Sequence, residues 1–263
     1  MNEVNKSSRR DFLKKAGLIS MVAIASPGML LKAASSKSNS ALSIDNKGDG
    51  FVFLFQGDSI TDGNRGRNTD PNHIMGHGYA FSIASRIGAD YPEKKLTFYN
   101  RGISGNRVTD LAQRWQKDTL DLKPNVLSIL VGINDSSYFI YSKDKAMVDR
   151  YEETYKSLLD QTVQQNPDIL FVLCLPFILP VGKVKENWEQ YETEVQKRQE
   201  SIKRIAKSYN ALVVDFQQVM TKACDKAPAD YWMWDGIHPT VPGHELLARE
   251  WIKVVGKKLN FVR

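Results

Sequence analysis

The 263-residue chain carries 36 Lys+Arg against 30 Asp+Glu, a net charge of +6 of the kind that would suit a polyanion-binding protein. Six of those cations and two of those acids fall within residues 1–34, so 30 face 28 in the remainder, and its charge gives no support to a nucleic-acid partner. Two cysteines, Cys174 and Cys224, are too few for a disulfide scaffold.

At the start of the chain, Ser8-Arg9-Arg10-Asp11-Phe12-Leu13-Lys14 has the form of a twin-arginine export motif. An uncharged, mostly apolar stretch follows from Ala16 to Leu31, interrupted by Ser20, Ser26, Pro27 and Gly28. A transmembrane helix wants ~20 apolar residues in succession, so the stretch predicts a signal peptide over 1–34, with Ala33-Ala34-Ser35 as the cleavage region. The expected destination is the periplasm or the medium, with no membrane contact once the leader is removed. No cysteine follows the leader directly, which argues against a lipid anchor. Residues 35–50, rich in Ser, Asn, Lys, Gly and Asp, read as a linker. The roughly 215 residues from Gly50 onward are enough for one domain with a substantial core.

The domain opens with Phe51-Val52-Phe53-Leu54-Phe55, a strand predicted over 51–56 that runs into the tight turn Gly57-Asp58-Ser59-Ile60-Thr61. A polar loop from Asp62 to His77, containing Arg65, Arg67, His73 and His77, leads to a helix predicted over 79–91. A second strand over 95–100 ends at Asn100-Arg101-Gly102-Ile103-Ser104-Gly105-Asn106, and a helix over 108–117 follows. The third strand, 125–131, ends at Gly132-Ile133-Asn134-Asp135. Beyond it lie a helix over 143–166 closed by Pro167, a strand over 169–175, a charged helix over 187–210 and a strand over 211–215. Trp232-Met233-Trp234 then precedes Asp235-Gly236-Ile237-His238-Pro239, and a last helix is predicted over 241–259, with Pro242 in its first turn. The strand runs are near-continuously apolar, as parallel strands covered on both faces require. Their alternation with helices predicts a three-layer α/β/α sandwich around a five-stranded parallel sheet. Cys174 sits inside an apolar run and reads as a buried free thiol, with a disulfide to Cys224 as the alternative for an exported protein.

The chemistry is carried by four short blocks. Taken singly, a Gly-Asp-Ser turn or an Asp-x-x-His pair is weak. Here, however, three of the blocks fall at the end of a predicted strand, where open α/β sheets place their ligands. An Asp three residues before a His can hold one imidazole nitrogen and leave the other free to take a proton from a serine. Ser59, Asp235 and His238 form such a set, and the two intermediate blocks offer an oxyanion hole. With these blocks the chain resembles the SGNH (GDSL-type) serine esterases, Ser59, Gly105, Asn134 and His238 matching the four signature residues. Within them it is most similar to the serine acetylxylan esterases, through Gly57-Asp58-Ser59-Ile60-Thr61-Asp62, Gly78-Tyr79 and Trp234-Asp235-Gly236-Ile237-His238-Pro239 beside the two intermediate blocks.

The resemblance implies a flavodoxin-like strand order 2-1-3-4-5 and removal of O-acetyl groups from xylan or xylo-oligosaccharides. The implied oxyanion donors are the backbone N–H groups of Ser59 and Gly105 and the side-chain amide of Asn134. Asp58, Arg65, Trp232 and Trp234 are the candidate substrate contacts, since aromatic faces beside polar groups suit sugars. For Asp58 the plainer role is to tie its own turn. Trp232 and Trp234 are as well explained by packing beneath the last helix. Asp135 and Asn106 read as loop-ordering groups. His73 and His77 form an i, i+4 pair without a third ligand or an intervening Glu, and Gly76 weakens any helix there, so no metal is expected. No phosphate loop or dinucleotide fingerprint points to a cofactor. The same site on other acyl groups would make an arylesterase, lysophospholipase or thioesterase, and a degenerate one a carbohydrate-binding protein. Related acetylxylan esterases assemble into oligomers, and the sequence leaves that open here.

Overall fold

The computed structural model of the protein describes residues 50–142, 146–259 and 261–262. The predicted leader and all but the last residue of the predicted linker lie outside the described residues. In chain order the elements are β1 (Val52–Gly57), α1 (Ser59–Asp62), α2 (Tyr79–Asp90), β2 (Thr97–Asn100), α3 (Val108–Asp118), β3 (Val126–Leu130), α4 (Ile133–Tyr141), α5 (Ala146–Gln165), β4 (Leu170–Cys174), α6 (Gly182–Glu186), α7 (Trp188–Tyr209), β5 (Leu212–Val214), α8 (Phe216–Ala223), α9 (Ala229–Trp232) and α10 (Val241–Gly256). The five strands form one parallel sheet in the order β2-β1-β3-β4-β5, as the resemblance implies.

Side-chain parity along the strands builds two cores from one sheet. Phe53, Phe55, Val126, Leu130, Val172 and Cys174 point to one face, where α2, α8 and α10 cover them with Tyr79, Ile83, Phe216, Met220, Leu247 and Trp251. Leu54, Leu127, Ile129, Phe171 and Leu173 point to the other, against Leu111 and Trp115 of α3, Leu158 and Leu159 of α5, and Ile202 and Ile205 of α7. Trp251 is fully buried, donates its indole N–H to Ser128 Oγ at 3.0 Å and packs against the rings of Phe53 and Phe55. Cys174 is buried and its thiol is pushed up to about 12 by burial, whereas Cys224 is exposed; both are free, so the disulfide alternative is corrected. Among the described residues, no helix is long and apolar enough to cross a membrane.

The chain order reverses at β1: β2 is added on one side and β3 on the other, so the carboxyl ends of β1 and β3 open a crevice between their following loops. Gly57 and Leu130 are register partners, so the two strands end level. The turns that follow β1, β2 and β3 therefore meet at one edge of the sheet.

Candidate active site

Ser59 is the first residue of α1, directly after β1. The turn needs glycine at 57, where a Cβ would collide with the carbonyl oxygen of Leu130 and the hydroxyl of Thr61. Asp58 caps α1 by accepting the Ile60 N–H at 3.0 Å. Its side chain is fully buried, so its candidacy as a substrate contact is corrected in favour of the turn-tying role. Burial pushes the Asp58 carboxyl up to about 7, against the Ile60 hydrogen bond and the charge of His238.

Across the crevice, the loop between α9 and α10 is pinched by a bridge between Met233 and Pro239 and by the Trp234 N–H, which donates to His238 O at 3.1 Å. Inside this bracket, Asp235 Oδ1 accepts the N–H groups of Ile237 at 2.9 Å and His238 at 2.7 Å. Asp235 Oδ2 lies 2.7 Å from His238 Nδ1, and His238 Nε2 lies 2.8 Å from Ser59 Oγ. A carboxylate only accepts, so Nδ1 carries the proton and Nε2 is free to accept the serine hydroxyl. The hydrogen bond that His238 donates to Asp235 raises the His238 pKa above its ordinary value of 6.5, partial burial opposing it. Partial burial pushes Asp235 up, but its hydrogen bonds from His238 and Ile237 hold it below the usual carboxylate value. The indole of Trp234 is 66 % exposed and stacks on the His238 ring, centroids 5.7 Å apart. Trp232 instead turns inward and donates its indole N–H to Ala227 O at 3.1 Å, so its place among the substrate contacts is corrected.

On the sheet side, Gly105 has φ +83, a left-handed conformation, and a Cβ built there would meet no atom within 4 Å. Glycine is favoured here by the backbone angle, and the position faces open space. Asn134, in the first turn of α4, donates its amide to Asn106 O at 3.1 Å, which brings the second and third blocks together. A trough of about 440 Å³ runs from Gly105 and Asn134 along α4.

Several residues that hold this loop were not singled out by sequence reasoning. Asn100, buried at the end of β2, donates to Thr61 O at 2.6 Å and Met75 O at 3.0 Å and accepts the Gly102 N–H at 2.9 Å. Asp62, also buried, accepts the Ser104 N–H at 3.0 Å and two guanidinium contacts from Arg67. Burial works against its ionisation, but the Arg67 and backbone hydrogen bonds bring its pKa below the ordinary value. Arg114 donates to Asn106 Oδ1 and to Arg101 O, each at 2.8 Å. Arg65 is a brace of the same kind, its Nε donating to Gly102 O at 2.9 Å. Asp135 takes the loop-ordering role expected of it, both carboxylate oxygens lying 3.3 Å from the Val108 N at the start of α3. Burial pushes Asp135 up to about 7. Asn100 and Asp62 carry a signal that could have found them, a polar residue directly abutting an apolar strand or the serine turn; Arg114 carries none, being one charge on an amphipathic helix. His73 is exposed and pairs with Asp70 at 2.7 Å.

Residues 55–246 match the model of the GDSL-like lipase/acylhydrolase family. With the fold and the four blocks in place, the chain belongs to that family and is a carboxylic ester hydrolase. It is 34 % identical over 218 residues to the acetylxylan esterase of Geobacillus stearothermophilus, covering 80 % of this chain and 95 % of that one. The solved structure of Axe2, an acetylxylan esterase from the same organism, superposes with a TM-score of 0.69 at 33 % identity, over 82 % of this chain and 98 % of Axe2. A solved Parabacteroides merdae protein described as a GDSL-like lipase reaches a TM-score of 0.75 at 36 % identity, over 79 % of this chain and 96 % of its own. A further relative is the lipoprotein YqeF of Bacillus subtilis (strain 168), 25 % identical over 138 residues, 52 % of this chain and 55 % of YqeF.

Proposed function

We propose that the protein is an exported carbohydrate O-acetylesterase acting on acetylated xylan or xylo-oligosaccharides through an acyl-enzyme. The observation that carries the mechanism is the unbroken chain of contacts from Ser59 Oγ through His238 to Asp235, at 2.8 and 2.7 Å. His238 removes the Ser59 proton as Oγ attacks the acetyl carbonyl, and the C=O pair moves onto oxygen. Donors already in place stabilise that oxyanion better than donors that must reorient, and the N–H groups of Ser59 and Gly105 with the Asn134 amide take this part. Collapse of the adduct expels the sugar oxygen, to which His238 returns the proton. Water, deprotonated by His238, then attacks the acetyl-Ser59 carbonyl, and acetate leaves with Ser59 regenerated. Asp235 holds the imidazole in its tautomer and offsets its transient charge without taking the proton.

Support for the substrate is the similarity to the Geobacillus acetylxylan esterase along nearly its whole length. The 1–34 leader, cut before a linker over 35–50 and the catalytic domain over 51–263, is the route of export we propose. The test is acetate release from acetylated xylo-oligosaccharides by the purified protein, with Ser59→Ala beside it. The variant is expected to lose at least about 10³-fold in kcat/KM. Unchanged release would overturn the nucleophile; cleavage only of esters with eight or more acyl carbons would overturn the acetyl substrate.

A further inference from the structure

The acyl half of an acetyl ester is two carbons, far smaller than the space beside the oxyanion donors. The trough of about 440 Å³ lies within the ~300–1,000 Å³ usual for small-molecule sites and takes a mono- or disaccharide. Gly105 and Asn134 line one part of it, and Arg107, Ser137, Tyr138 and Tyr141 line the rest. With the carbonyl oxygen held between Gly105 and Asn134, a two-carbon acyl group would leave most of the trough along α4 to the alcohol.

The two rings are exposed and yet held. Tyr138, 39 % exposed, has the Arg107 guanidinium over its face at 4.5 Å, and Arg107 is itself fixed by Asp110 at 3.2 Å. Tyr141, 63 % exposed, meets the buried Tyr191 of α7 edge-on, ring centroids 6.3 Å apart, and Ser137 Oγ lies 3.4 Å from the Tyr191 hydroxyl. Aromatic walls fixed in advance give up little conformational freedom when a ligand arrives. Beside those walls, the Arg107 cation, the Ser137 hydroxyl and the Asn134 amide would be stripped of water by a hydrocarbon chain without replacement hydrogen bonds. A pyranose ring, with C–H groups on its faces and hydroxyls at its edge, satisfies both kinds of surface.

Resting on the carbohydrate-esterase reading above, we propose that the trough along α4 is the subsite for the sugar ring that bears the acetyl group. Tyr141 and Tyr138 supply its stacking walls, and Arg107 and Ser137 contact the ring hydroxyls. The trough thereby sets preference for sugar esters over simple acetyl esters.

The experiment compares kcat/KM on acetylated xylo-oligosaccharides with that on vinyl acetate, which has no ring to stack, for the purified protein and for Tyr141→Ala, Tyr141→Phe and Tyr138→Ala. Tyr141→Ala is expected to lower the oligosaccharide-to-vinyl acetate ratio about tenfold, chiefly through KM, while Tyr141→Phe keeps the wild-type ratio. Tyr138→Ala moves the ratio in the same direction. If both alanine variants keep the wild-type ratio, or if Tyr141→Phe loses as much as Tyr141→Ala, the stacking subsite is overturned. A wild-type protein that cleaves vinyl acetate through Ser59 but no acetylated oligosaccharide overturns the carbohydrate reading, and the subsite with it.

Discussion

At the residue scale, the acid–base behaviour of His238 follows from one contact. Its hydrogen bond to Asp235 raises the imidazole pKa above 6.5, and only the neutral ring can accept the Ser59 proton. Activity is therefore expected to disappear as pH falls through the raised value, placing the acidic limb of kcat/KM above pH 6.5. Asp235→Asn removes the cause of the rise, so the limb moves to lower pH while the rate drops by about 10⁴-fold. A pH profile of both proteins checks the sign, and a limb that stays in place in the variant would assign the titration to another group. Trp234, stacked on His238, gives an independent optical record of the same titration, because an imidazolium quenches an adjacent indole.

At the element scale, the site depends on loops that are stitched to strand ends. Asn100 makes four hydrogen bonds from a buried position, so Asn100→Ala leaves the carbonyls of Thr61, Asp62 and Met75 without that donor. The expected cost is about 2–3 kcal/mol, read from urea unfolding, with a fall in kcat because the same change loosens Gly102 and the Gly105 turn. The five strands were legible because they are apolar runs buried on both faces, and each lies within two residues of its predicted bounds. Five helices were not: the single-turn α1, α6 and α9, and the longer α4 and α8. The first turn of α4 contains Asn134 and Asp135, polar residues that read as loop, whereas the Asp135–Val108 contact turns Asp135 inward. α8 is only eight residues long and owes its start to the Asp215 side chain, which accepts the Gln218 N–H at 2.9 Å. The last helix ends at Gly256 rather than at 259. The contact of Asp235 with His238 was readable from local spacing, and the expectation that Ser59 faces them from a strand end agrees with the 2.8 Å between Ser59 Oγ and His238 Nε2. The inward turn of Trp232 was not readable, because which of two nearby tryptophans faces solvent is decided by packing against Ala227 and α10.

At the scale of the whole molecule, the level ends of β1 and β3 put three loops at one edge of the sheet, and α10 carries the opposing His238 loop against it through Trp251. Trp251→Ala is expected to destabilise the protein by ~3–5 kcal/mol in urea unfolding, through a cavity between Phe53, Phe55 and a Ser128 hydroxyl that has lost its indole donor. The parity of the strands carries this further. Phe53 and Leu54 are covalent neighbours but belong to different cores, whereas Phe53 and Trp251 share one. In double-mutant cycles, the substitutions at Phe53 and Trp251 should couple by ~0.5–3 kcal/mol, while those at Phe53 and Leu54 should add almost as strangers. Energetic kinship in this protein is thus inherited by face of the sheet and not by proximity along the chain.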